Sequence, residues 1–191
     1  MADARVMPDA APAAVLHALV DDADWPTSDV PPLLHAIVDD RSRASAWHEL
    51  SGGVLPDGAA TAATAPVVPI LAGLAAWRDH PSRVEAVRLL REIAIGTHGD
   101  PSQAALHAAT VAASEPLIAH WRDEPDPIRR VLLLLLSAMP DDLLVGHVVL
   151  SDEELDADHQ EAFAIVTSGG PTSEAEFDLV CDFTDWAMGD I

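Results

Sequence analysis

The densest run of side chains that could do chemistry is Asp152, Glu153, Glu154, Asp156, Asp158, His159 and Glu161. Carboxylates at alternating positions offer oxygen ligands to a divalent cation. The calcium-loop pattern is not met, because Ala157 stands where the tight turn needs Gly and Phe163 where a bidentate Glu would close the shell. Acids in the first turns of a helix also complement its dipole and cap its free N–H groups, and this run is expected to do that. The histidines are scattered singly, with no His-x-x-x-His or His-Glu-x-x-His spacing. His107 and His120 lie too far apart along the chain to form a zinc pair and are expected on the surface or half-buried. The single Cys181 excludes an internal disulfide and a multi-cysteine metal site. It has no basic neighbour to activate it and is expected to be a core thiol. There is no Gly-x-Ser-x-Gly, no Gly-x-Gly-x-x-Gly and no Lys, so Schiff-base chemistry and a phosphate-loop lysine are excluded. No catalytic residue, cofactor-binding residue or metal ligand is expected.

The charge of the chain is more telling. It has 191 residues, with 32 acids against 10 basic residues and a formal charge of -22. All the basic residues are Arg; Lys, Asn and Tyr are absent. A GC-rich genome explains those absences, and a halophilic solvation strategy is an alternative source of the acidic excess. Nucleic-acid phosphate and anionic lipid would both be repelled, so neither is expected as a partner. At 49% hydrophobic, the chain is no disordered acidic tail. The longest strongly apolar run, Val131 to Leu136, is too short to span a bilayer. The first residues, with Asp3, Arg5 and Asp9, lack the pattern of a secretory signal, so a cytoplasmic protein is expected.

The elements that would position these groups are helices. Apolar residues recur at 3.6-type spacing and strand-type alternation is nearly absent. Helices are expected near 10–20, 30–39, 42–50, 64–77, 82–95, 101–122 with a break or kink at Pro116, 127–139, 141–149, 152–167 and 173–188. Ser82 with Glu85, Ser151 with Glu154 and Ser173 with Glu176 are candidate capping boxes, and Gly96 is a candidate stop. Asp100-Pro101 and Asp126-Pro127 each place an acid at the N-cap before Pro. Ser51 to Ala63 is expected to be the main internal loop. Trp77-Arg78-Asp79 and Trp121-Arg122-Asp123 echo each other at two helix ends. Short connections make neighbours antiparallel, and a stack of such pairs is an α-solenoid; an irregular all-α bundle is the alternative.

Ala46-Trp47-His48-Glu49-Leu50 leads through a Gly-containing loop to Ala62-Ala63-Thr64-Ala65-Pro66-Val67-Val68-Pro69-Ile70-Leu71, followed by the Arg- and Leu-rich Arg83 to Ala94. Over roughly residues 42–140 this resembles the HEAT-repeat proteins of actinobacteria. Those carry an aromatic-x-Glu-Leu helix end, a loop and an Ala-Thr-Ala-x-x-Val-Pro-Phe-Leu helix. The resemblance implies an armadillo-type fold and, more weakly, scaffolding or protein binding. It departs in the loop, where Val54-Leu55-Pro56-Asp57-Gly58-Ala59 replaces the family's aromatic-His-Gln-Gly-Thr stretch. A role of that loop would be lost here. Pro66 and Pro69 are expected in the first turn of a helix starting near Thr64.

One all-α domain over 1–191 is therefore expected: N-terminal helices over 1–50, a HEAT-like core over 64–140 and acidic helices over 141–191. The architecture would be a short HEAT-like α-solenoid of antiparallel helix pairs with an acidic C-terminal helical cap. Residues 141–191 hold 14 acids and no Lys or Arg. The last helix sets Phe183 and Trp186 among Glu174, Asp178, Asp182 and Asp185, and those six are the candidate partner-binding residues. The expected function is a non-enzymatic interaction module that binds a protein partner, a basic one given the charge, through this acidic surface. The alternative is an enzyme or cofactor-handling protein on a HEAT scaffold without a recognisable motif.

Overall fold

A computed structural model describes residues 12–40, 43–139, 155–168 and 170–189. Every regular element among them is helical: α1 (Pro12–Asp22), α2 (Val30–Val38), α3 (Arg43–Val54), α4 (Thr64–Ala76), α5 (Arg83–Thr97), α6 (Ala104–Ala119), α7 (Asp126–Ser137), α8 (Ala157–Thr167) and α9 (Glu174–Met188). Short 3-10 turns occupy Pro56–Gly58, Pro101–Gln103 and Trp121–Asp123. The chain is all-α, as its apolar spacing requires. The helix expected over 141–149 and the Ser151–Glu154 capping box lie outside the described residues, as do Asp152 and Glu153.

Helix α1 packs on α2 and α4, and α2 on α3. Helix α4 packs on α5 and α6, α5 on α6 and α7, α7 on α9, and α8 on α9. The run Val131–Ser137 of α7 is buried without interruption. A stretch buried on all sides must be enclosed, and α7 lies between α5 and α9, with α6 and α8 also against it. The two Trp-Arg-Asp echoes do close a pair of neighbours: Trp77 caps α4 and Trp121 follows α6.

The helix boundaries differ from the expected ones where tertiary packing overrides local preference. Ser51-Gly52-Gly53 is helical, because Val54 and Leu55 are buried and draw the end of α3 inward. The freed Val54 carbonyl accepts from the Thr64 hydroxyl at 2.6 Å and from the Thr61 N–H at 3.3 Å. The reversal comes later, at Asp57 (φ 52°) and Gly58 (φ 78°). Gly96 does not stop α5, which runs on to Thr97. A Cβ at Gly96 would stand 2.5 Å from the Gly58 carbonyl oxygen, so the residue permits close approach of α5 to the Pro56–Gly58 turn.

Ser82 precedes α5 but its side chain caps nothing. Its N–H donates instead to Nδ1 of the buried His80 at 3.1 Å. That leaves the proton on Nε2, which donates to the Val38 carbonyl at 3.3 Å and ties this turn to the end of α2. Pro69 lies inside α4 rather than in its first turn, and α6 continues through Pro116 without a break. Asp126 is the first residue of α7 rather than its cap; it pairs with Arg130 one turn on. Asp100 does cap its turn, accepting from the Ser102 N–H at 2.8 Å. Ser173 caps α9 by accepting from the Glu176 N–H.

Candidate functional site

The acids singled out on the last helix share one face. Glu174, Asp178, Asp182 and Asp185 are all exposed and follow each other at three- and four-residue steps. None of the four forms an ion pair among the described residues. Phe177, interleaved with these acids in the sequence, and Cys181 complete this face. Phe177 is 57% exposed and Cys181 is also exposed, so the expectation of a core thiol is corrected. Both fall on the helical steps of the acids, and the 3.6-residue phase of α9 carries that signal.

Phe183 lies on the opposite face and is 0% exposed. It meets Phe163 of α8 edge-on at 6.2 Å and His159 at 6.1 Å. Its place is in the core, so it does not belong to a surface open to a partner. Trp186 is half-buried. Its ring stacks on His159 at 4.4 Å and lies beneath the Arg130 guanidinium at 4.9 Å. The structure thus brings the four carboxylates together and sends the two aromatics inward.

Basic residues of α5 and α7 hold the other end of α9. Arg88 donates to the Met188 carbonyl at 3.0 Å, and Arg130 to the Trp186 carbonyl at 3.5 Å. Cations at a helix C-terminus complement both its dipole and its free carbonyls. At the opposite end, Thr172 donates through its N–H (2.6 Å) and its hydroxyl (2.8 Å) to the Glu176 carboxylate. Those two donors hold the Glu176 carboxyl below the usual carboxylate range, the backbone bond most strongly. Helix α9 is therefore pinned at both ends, with its acidic face turned outward.

Asp156 caps α8, accepting from the His159 N–H at 2.9 Å, and pairs with the His159 ring at 3.1 Å. The described part of the 152–161 cluster therefore serves the helix start. Among the described residues, no three His, Cys, Asp or Glu side chains converge where a metal ion could sit.

Two open cavities carry polar side chains. One, of about 330 Å³, is lined by Thr97, Asp100, Ala104 and His107 among others. Thr97 and His107 are 3.1 Å apart there, but the Thr97 hydroxyl donates to the Ile93 carbonyl at 2.7 Å. Its single proton is committed to the helix, so it accepts from His107 and is no nucleophile in waiting. Asp100 in the same wall is held below the usual carboxylate range, first by the Ser102 hydroxyl and then by the Ser102 N–H. The other cavity, of about 240 Å³, lies between α3 and α5 and is lined by Trp47, His48, Ser51, Glu85, Arg88, Leu89 and Glu92. Its Arg88 is already engaged with the end of α9. In the first cavity the hydroxyl proton is thus already committed, and in the second, among the described residues, no hydrogen bond joins Ser51 to His48.

No protein-family model, curated protein or solved structure matches the chain. The geometry of α9 therefore carries the functional reading by itself. No helix among the described residues is long and apolar enough to cross a membrane.

Proposed function

We propose that the chain is a non-enzymatic interaction module whose α9 face receives a basic protein partner. The carrying observation is the exposed stripe of Glu174, Phe177, Asp178, Cys181, Asp182 and Asp185, whose acids have no ion-pair partner among the described residues. A Phe set among carboxylates suits a partner that offers an apolar slot ringed by Lys or Arg. The charge would speed encounter, and the aromatic would supply most of the contact energy.

The scaffold reading belongs to the same proposal. Helices α4 and α6 lie side by side, as do α5, α7 and α9, and the chain alternates between these two rows. That order supports a short α-solenoid related in plan to HEAT repeats, with α8 and α9 as its acidic cap.

The test compares captures from the source lysate on the wild-type chain and on a Phe177→Ser, Asp178→Asn, Asp182→Asn variant. A partner with a basic surface should bind the wild type at low salt, leave at high salt and fail to bind the variant. Equal capture by both chains would overturn the proposal.

A further inference from the structure

Two histidines from neighbouring helices face each other between α1 and α2. His17 Nδ1 lies 2.7 Å from His35 Nδ1. Each ring holds a carboxylate on its outer nitrogen: His17 Nε2 lies 2.9 Å from Asp39, and His35 Nε2 lies 3.0 Å from Asp21. Asp21 is on α1 and Asp39 follows α2, so each side of the contact supplies one imidazole and one carboxylate. The rings are inclined by 24° with centroids 4.9 Å apart. That separation fits an in-line N···N contact, so the rings meet edge to edge rather than face to face. The result is a linear chain, Asp39–His17–His35–Asp21, and not a cage around a metal.

Counting protons gives this chain its character. An ionised carboxylate only accepts, so both Nε2 atoms must donate. The central contact needs one donor and one acceptor. Three bonds therefore require three N–H groups. Two neutral imidazoles carry two, and two imidazoliums carry four. Only one imidazole with one imidazolium fills every bond. With fewer protons two lone pairs face each other; with more, two N–H groups do.

We propose that His17 and His35 act as one proton-binding unit, which clamps α1 to α2 when it holds a single extra proton and loosens when that proton is gained or lost beyond one. The clamp matters because α1 buries only Leu16 and Val20 as core side chains. An element with so few apolar anchors lies at the low-stability end of a fold.

The titratable groups on the elements around the pair are few. Helix α4, packed on α1, has no titratable side chain. Helix α3, packed on α2, carries Arg43, His48 and Glu49 in its sequence; His48 lines the cavity toward α5, and Glu49 is exposed. Asp22, Asp24 and Asp29 lie on or beside the two helices, Arg41 follows Asp40 in the sequence, and His80 meets the Val38 carbonyl at the end of α2.

The test is nuclear magnetic resonance on the full, nitrogen-15-labelled chain from about pH 5 to about pH 8, the range in which imidazole changes charge. A scalar coupling between His17 Nδ1 and His35 Nδ1 across the shared proton should appear within the range and vanish at its alkaline end. Amide exchange in α1, corrected for its intrinsic pH dependence, should then quicken about tenfold, as the loss of one hydrogen bond implies. His35→Gln should abolish the coupling and flatten the pH dependence of α1 exchange, leaving α5 unchanged. Absence of coupling at every pH would overturn the proposal, and it is decided on the wild-type chain even if the variant fails to fold. Exchange in α1 that ignores pH would overturn it equally.

Discussion

The Arg83 guanidinium lies 2.8 Å from the Glu124 carboxylate although their side chains are only 6% and 11% exposed. Arg83 also donates through Nε to the Ala75 carbonyl at 2.7 Å. One side chain thus joins the end of α4, the start of α5 and the segment leading into α7. Removing one partner of a buried pair strands the other charge. Glu124→Ala should therefore lower unfolding stability by about 3 kcal/mol in urea titrations. Arg83→Met combined with Glu124→Leu should recover most of that loss, since an apolar pair removes both desolvation costs. A double variant as unstable as the single one would show that the pair is not what joins these segments.

Gly96 offers a second test of packing between neighbours. Its Cα faces the Gly58 carbonyl, where an added Cβ would stand at 2.5 Å. Elsewhere in a helix, Gly→Ala stabilises because it restricts the unfolded chain. Here the clash is with backbone, which cannot rotate away. Gly96→Ala should destabilise by about 1–3 kcal/mol. Gly52→Ala, on a helical position with nothing near its Cβ, should stabilise instead.

How far this architecture was legible depends on which signal each element used. Helical periodicity located nine described helices because it needs only one-dimensional information. The ends were less legible. Ser82 matches a capping box, yet a histidine two residues earlier took its N–H. Gly52-Gly53 reads as a loop, yet burial of Val54 and Leu55 keeps it helical. At Gly52-Gly53 the deciding contact is tertiary, and at Ser82 the local histidine is itself held by the Val38 carbonyl of α2, which no local pattern announces. The His17–His35 contact was illegible for the same reason: the residues lie on different helices and no spacing rule connects them. The acidic face and its interleaved aromatics were legible in the sequence, whereas the choice of Phe177 over Phe183 and Trp186 as the outward one depends on helical phase.

The Glu176 carboxylate gives a pH prediction. Its folded value lies below the ordinary one because Thr172 donates to it twice. A depressed carboxylate stabilises the fold above its ordinary range, and that stabilisation is lost as pH falls through the folded value. The first turn of α9 should thus keep its amide protection through mild acid and lose it at lower pH. Glu176→Gln should remove this acid-dependent step, leaving protection in the first turn of α9 independent of pH across the same range. An unchanged acid step in that variant would assign it to another group.

The two phenylalanines of α9 separate the inner and outer faces of the helix. Phe183 is 0% exposed and touches His159 and Phe163, so Phe183→Ala should cost about 3–5 kcal/mol through lost burial and a residual cavity. Phe177 is 57% exposed, so Phe177→Ala should change stability by less than about 0.5 kcal/mol. Urea unfolding of both variants makes the comparison directly. Cys181, on the outer face with Phe177, supplies an independent check. Its thiol should react with a colorimetric disulfide reagent in the native chain, and a urea-unfolded sample should gain no further reactive thiol. A thiol that reacts only after unfolding, or a large loss of stability from Phe177→Ala, would mean that the outer face of α9 is packed against the rest of the chain. It would then not be open to a partner.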